Sequence, residues 1–126
     1  MPLYICTTPK GLIAEDKKPA IAKELTKIHC DVTDAPPTFV HVFFLENDAM
    51  SDTPANLFGS IRAGRTEAQK ESLRDQMATS VLTLADIPRS DVSMTTVDVP
   101  AKWVMEGGAL LPEPGEEEAW LAKHHA

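Results

Sequence analysis

The stretch 57-LFGSIRAGRTEAQKESLRDQMATSVLTLADIPRSDVSMTTVDV-99 changes its hydrophobic period twice. Residues 57–64 are apolar and β-prone, and they close on a glycine. From Arg65 to Ile87 the apolar side chains Leu73, Met77, Val81 and Leu84 recur at spacings of three and four, the stripe of one helix face. Residues 87-IPRSD-91 interrupt that stripe, and 92-VSMTTVDV-99 again reads as a strand. The unit is therefore β-α-β. The same order is written upstream. Residues 2-PLYICTT-8 read as a strand stopped by 9-PKG-11, and Ala20, Ile21, Leu25, Ile28 and Val32 mark a helix that begins near Glu15. Glu15 and Asp16 suit the positive end of its dipole, and Pro19 falls early enough to be tolerated. After 34-DAPP-37, the run 38-TFVHVFFLEN-47 predicts a strand buried on both faces.

Two β-α-β units, about 2–46 and about 56–99, are joined by a polar connector and followed by a tail over 100–126. They predict a single α+β domain: a four-stranded sheet with both helices on one face. No third long helix remains to cover the opposite face, so self-association is expected. The tail should hold a helical turn, a Gly-Gly break, a Pro-rich bend and a final helix from about Glu116 anchored by Trp120 and Leu121.

Composition narrows the function. With 126 residues, 43% hydrophobic and 25% charged, the chain has the make-up of a globular protein. Twelve basic against nineteen acidic residues give a net charge of −7, so neither nucleic acid nor an anionic membrane is an expected partner. A local positive cleft would still attract a small anion. Cys6 and Cys30 lack metal-ligand spacing and read as thiols of a reducing cytoplasm. The apolar run after Met1 is too short for a signal-peptide core. No cofactor or metal is expected; the adjacent His124 and His125 are weak evidence for one.

Several residues could carry chemistry. Pro2 follows the initiator methionine, whose removal would leave a secondary amine. Its charge state would follow its surroundings: near cations or away from water it would be neutral and a general base, otherwise an acid. Alternatively, it only begins a strand. Arg62 and Arg65, in 60-SIRAGRT-66, could clamp a carboxylate, or pair with surface acids such as Glu67 or Asp75. His29 lies near the end of the first helix, where a histidine also serves as a cap or a core edge. Glu106, in 103-WVMEGG-108, would activate water if burial raised its pKa, unless it is a solvated helix end. The acidic run from Glu106 to Glu118 reads as mostly solvated.

Taken together, Pro2, His29, the Arg62-x-x-Arg65 pattern, Glu106 and the tail 111-LPEPGEEEAW-120 resemble the tautomerase superfamily. More closely they resemble its cis-3-chloroacrylic acid dehalogenase family, in which two β-α-β blocks are fused and three chains assemble. The resemblance covers nearly the whole chain. It implies a homotrimer of the kind also seen in the cytokine-like branch, and a small carboxylate substrate. Pro2, Arg65 and Glu106 would be catalytic, and His29, Arg62 and Arg65 would bind substrate. One departure matters. The family's dehalogenases carry a tyrosine eleven residues before the glutamate; here that position is Thr95, an accessory candidate with a much shorter hydroxyl. Keto-enol tautomerisation, which needs no activated water, is therefore the leading expectation. Hydrolytic dehalogenation or hydration is the alternative, and a non-catalytic trimeric binding protein on the same scaffold is the rival from another class. Whether His41 faces the site is left open.

Overall fold

The computed structural model describes residues 2–47 and 53–124. Strand β1 (Leu3–Thr8) leads to helix α1 (Lys18–Thr33) and strand β2 (His41–Glu46). Strand β3 (Ala55–Arg62), helix α2 (Glu67–Ala85) and strand β4 (Val92–Val99) repeat the order. The sheet runs β2-β1-β3-β4, with β1/β2 and β3/β4 parallel and β1/β3 antiparallel. The α+β architecture inferred from the two hydrophobic periods is the one observed.

The repeat is clearer in backbone chemistry than in identity. Each long helix ends on an aspartate in the left-handed conformation, Asp34 at φ 62° and Asp86 at φ 57°, a role that a short polar side chain tolerates. A proline follows two residues later, Pro36 or Pro88, then a 3₁₀ turn, then a strand. The first of these turns, Pro37–Phe39, takes Thr38 and Phe39 out of the strand expected over 38–47. Helix α2 starts on a capping box. Gln69 N–H donates to Thr66 Oγ1 at 3.1 Å, and Thr66 N–H donates to Gln69 Oε1 at 2.9 Å.

Both helices cover one face of the sheet. Tyr4, Cys6, Leu57, Ile61 and Val92 from the strands pack against Ile21, Leu25 and Ile28 of α1 and Leu73, Met77 and Val81 of α2. On the other face, Phe43 is 54% exposed, Leu45 52% and Phe58 40%. This corrects the expectation that the second strand is buried on both sides. β2 is an edge strand, and its Val42 and Phe44 side packs on the helix-side core; none of the described residues covers its other side.

The tail closes the end of the sheet where β1 begins. The Gly-Gly break is a hairpin between β5 (Met105–Glu106) and β6 (Ala109–Leu110). Gly107 (φ 61°) and Gly108 (φ 84°) supply the two positive φ angles of a two-residue turn. Helix α3 (Glu117–His124) brings Trp120 edge-on to Phe39 at 5.4 Å between ring centroids, and its indole N–H donates to the Leu110 carbonyl at 2.6 Å. Among the described residues, no helix is long and apolar enough to cross a membrane.

Candidate active site

Antiparallel pairing of β1 with β3 sets Leu3 opposite Ser60, so the start of β1 lies beside the end of β3. Pro2 is therefore next to the strand end that carries Arg62. It is fully buried, and its carbonyl accepts the main-chain N–H of His41 at 2.9 Å. Helix α1 returns to this end of the sheet and delivers His29 and Thr33.

His29 is buried and meets Tyr4, two residues beyond Pro2. The Tyr4 hydroxyl lies 2.6 Å from His29 Nδ1, and the rings meet edge-on. Gly59 makes room for the phenol: a Cβ there would come within 2.4 Å of Tyr4 Cε1. Burial pushes the tyrosine pKa well above its ordinary value. Burial, then the charges of Arg65 and Arg62, pull His29 down to about 3. Both groups are thus neutral at physiological pH.

The arginines converge, but not equivalently. Arg62 is sequestered. It donates from Nη1 to the Pro112 carbonyl at 2.6 Å and from Nη2 to Glu117 Oε1 at 2.8 Å, and its guanidinium lies 5.3 Å from the centre of the Phe39 ring. Arg65, in the turn after β3, donates from Nη1 to the Thr33 carbonyl at 3.1 Å, and its Nη2 is 4.0 Å from Glu117. Its Nε is buried with no hydrogen-bond partner among the described residues. Burial, and then the neighbouring Arg62, lower its pKa. Glu117 itself is held below the usual carboxylate range: burial pushes it up, but the Arg62 hydrogen bond and the Gly115 amide outweigh that. Neither surface acid considered as a partner is used this way; Glu67 pairs with Lys70 at 2.8 Å. Two guanidiniums meet the Glu117 carboxylate here, and the charge of Asp34 is also felt at Arg65.

A family model described as "Putative oxalocrotonate tautomerase enzyme" matches residues 1–125. The chain belongs to this tautomerase family. Among solved structures, N1, a member of the cis-3-chloroacrylic acid dehalogenase (cis-CaaD) family, is 33% identical at a TM-score of 0.87, covering 96% of this chain and 91% of that one. Native Ps01740 is 35% identical at a TM-score of 0.79, covering 83% and 100%. A wild-type fused 4-OT, an asymmetric trimer, shares the fold at a TM-score of 0.78 and 24% identity, covering 86% and 95%. No curated protein matches.

The remaining candidate residues lie at different distances from the cluster. Glu106, on the hairpin, places Oε2 3.8 Å from Nε2 of His41, the residue whose amide binds the Pro2 carbonyl. Both therefore flank the start of β1. Thr95 does not join them. It pairs with Phe58 in mid-strand on the open face, four residues from the Val99 that faces Arg62, or roughly 13 Å along the strand. A groove of about 470 Å³ between α1 and α2 is lined by Glu24 and Asp75, acids that would repel a carboxylate.

Sequence reasoning missed two members of the site. Glu117 is hidden in an acidic run that reads as solvent-facing. Tyr4 reads as an ordinary strand aromatic, although its i+2 spacing from Pro2 places both on one face, and the glycine inside β3 signals a close approach across the sheet.

Proposed function

We propose that this chain is a keto-enol tautomerase of 2-keto acids whose base is the amine of Pro2, freed by removal of Met1. The observation that carries the reading is the burial of Pro2 at the one end of the sheet where a neutral histidine and two guanidiniums gather. Nearby cations and lost solvation disfavour an ammonium, so the amine would be neutral and basic near pH 7. It accepts the enol hydroxyl proton as the C2 carbonyl forms, and the proton returns to C3; nothing else is consumed. Arg65, with its unpartnered Nε, holds the carboxylate and offsets the charge that develops on the enolate oxygen. Arg62 holds Glu117 and the tail, and so shapes the site from behind.

A second reading has its own support. The likeness to N1 of the cis-CaaD family, together with Glu106 beside His41, suits hydration or hydrolytic dehalogenation of an unsaturated acid. There Pro2 would be protonated and deliver its proton to the α-carbon, while Glu106 activates water at the β-carbon. The pKa of Pro2 separates the two: near or below 7 for tautomerisation, well above it for hydration. Thr95 in place of a tyrosine weighs against the second.

The open sheet face, with Phe43, Leu45 and Phe58 in reach of solvent, supports assembly as a homotrimer, the state named for the fused 4-OT. The free thiols Cys6 and Cys30 suit a cytoplasmic setting.

Ketonisation of phenylenolpyruvate by wild type and by Pro2→Ala tests the main reading. Activity that collapses in the variant supports it; equal activity in both reduces Pro2 to the start of a strand. Intact mass completes the test, because a retained Met1 would block the amine and favour a non-catalytic binding protein.

A further inference from the structure

We propose that Tyr4 is a positioning residue that locks His29 in the Nε2–H tautomer, so that a neutral, buried donor is held ready for an oxygen of the substrate. The lock is a property of the free protein; only the last step rests on the functional reading above.

The geometry leaves few alternatives. Tyr4 Oη and His29 Nδ1 are 2.6 Å apart and buried, a short contact that needs one shared proton. The Tyr4 ring cannot swing away, because it fills the space left by Gly59. In a neutral imidazole one nitrogen donates and the other accepts. A phenol is a stronger acid than an imidazole N–H, and an imidazole nitrogen is a stronger acceptor than a phenol oxygen. The better donor therefore pairs with the better acceptor: O–H donates to bare Nδ1, and the ring proton sits on Nε2. The ionised alternative, phenolate with imidazolium, is opposed by burial on both sides and by the two guanidiniums on the histidine side.

Nε2 is the loose end. It is buried and has no hydrogen-bond partner among the described residues. A buried donor without an acceptor costs stability, and a catalytic role is one of the reasons a folded protein keeps such a group. Among the described residues, Arg65 Nε is also buried without a hydrogen-bond partner, and the charge of Arg65 is felt at His29. Two idle donors, one neutral and one cationic, make a receptor for the adjacent oxygens of a 2-keto carboxylate. A neutral imidazole suits this task, because it stabilises negative charge as it develops without adding a third cation beside the amine of Pro2.

The test is ¹⁵N–¹H correlation of the histidine side chains in the full chain near neutral pH, for wild type and for Tyr4→Phe, which keeps the ring that occupies the Gly59 space. Wild type is expected to show a bare Nδ1 and a protonated Nε2 for His29. Tyr4→Phe should move it to a mixture of tautomers, with kcat/KM for phenylenolpyruvate lower by about tenfold, the scale of one weakened hydrogen bond to a charged group. An Nδ1–H tautomer in wild type overturns the proposal, and so does an unchanged tautomer in Tyr4→Phe. A tautomer that changes while kcat/KM does not would remove the role assigned to the lock. Full activity in Pro2→Ala would instead bring down the functional reading, and the spectra would still decide the tautomer.

Discussion

The two β-α-β halves share a backbone plan but do different work. Each helix ends on a left-handed aspartate, and five residues before it a side chain is buried against the sheet: His29 in the first half, Val81 in the second. The second half uses its position for packing. The first spends it on a polar pair with Tyr4, and so carries desolvation that Val81 avoids. The second half contributes charge instead, through Arg62 at the end of β3 and Arg65 in the turn after it. Neither half is a site alone. Antiparallel pairing of β1 with β3 brings the start of one to the end of the other, and the site lies on that seam.

The largest effect should come from Pro2, whose counterpart before β3, Pro54, lies inside the chain and has no amine to free. Pro2→Ala should lower kcat/KM for ketonisation by about 10²–10⁴, the usual contribution of a positioned base, with thermal unfolding little changed; initial rates and a melt check both. The arginines should separate next. Arg62→Ala strands the Glu117 carboxylate and unhooks the tail from the sheet end, so chemical denaturation should show a loss of about 3 kcal/mol, the lower range for breaking a buried pair. Arg65→Ala should leave stability within about 1 kcal/mol and raise KM instead. If both variants lose only stability, or both lose only binding, the division between them is wrong.

Gly59→Ala probes how the halves interlock. The added methyl would sit 2.4 Å from the Tyr4 ring, and neither the strand nor a phenol held by His29 can yield cheaply. A loss of about 1–3 kcal/mol is expected in the same denaturation experiment, with a disturbed His29 resonance. An unaffected protein would mean that the Tyr4–His29 pair is looser than its geometry.

The same contrast explains what the sequence could and could not reveal. The fold was legible because both halves write their periods plainly, with Leu73, Met77 and Val81 on one stripe and Ile21, Leu25 and Ile28 on the other. Pro2, His29, Arg62 and Arg65 stood out as chemistry out of place on such a scaffold. Glu117 did not, because a carboxylate among four acids carries no local mark of burial; its partner is 55 residues away in sequence. The exposed side of β2 was misread because Phe43, Phe44 and Leu45 form one apolar run, and that run does not say whether the second covering layer belongs to the same chain. Thr38 and Phe39 were lost to a turn that two consecutive prolines could have announced.

A pH slope bears most directly on why the first half differs. Tyr4, Arg62 and Arg65 surround His29, and its folded pKa is about 3 against an ordinary 6.5. Between those values the unfolded chain binds a proton that the native protein does not. Stability must therefore fall as pH falls through this window, by up to about 1.4 kcal/mol per pH unit. Glu117, whose folded pKa is also lowered, adds its loss only below its ordinary value of 4.5. The interval from about 6.5 to 4.5 thus isolates the histidine. Replacing the pair by apolar groups, Tyr4→Phe with His29→Leu, gives the first half the character of the second. Exchanging both partners of a buried hydrogen bond for apolar side chains is nearly neutral or stabilising. The double variant should be at least as stable as wild type near neutral pH, lose the slope in that interval, and lose ketonisation. Urea midpoints across the interval, set beside initial rates, would read all three. A variant that kept its activity would make the polar pair an accident of packing; one that lost activity while gaining stability would show that the first half gives up stability for its chemistry.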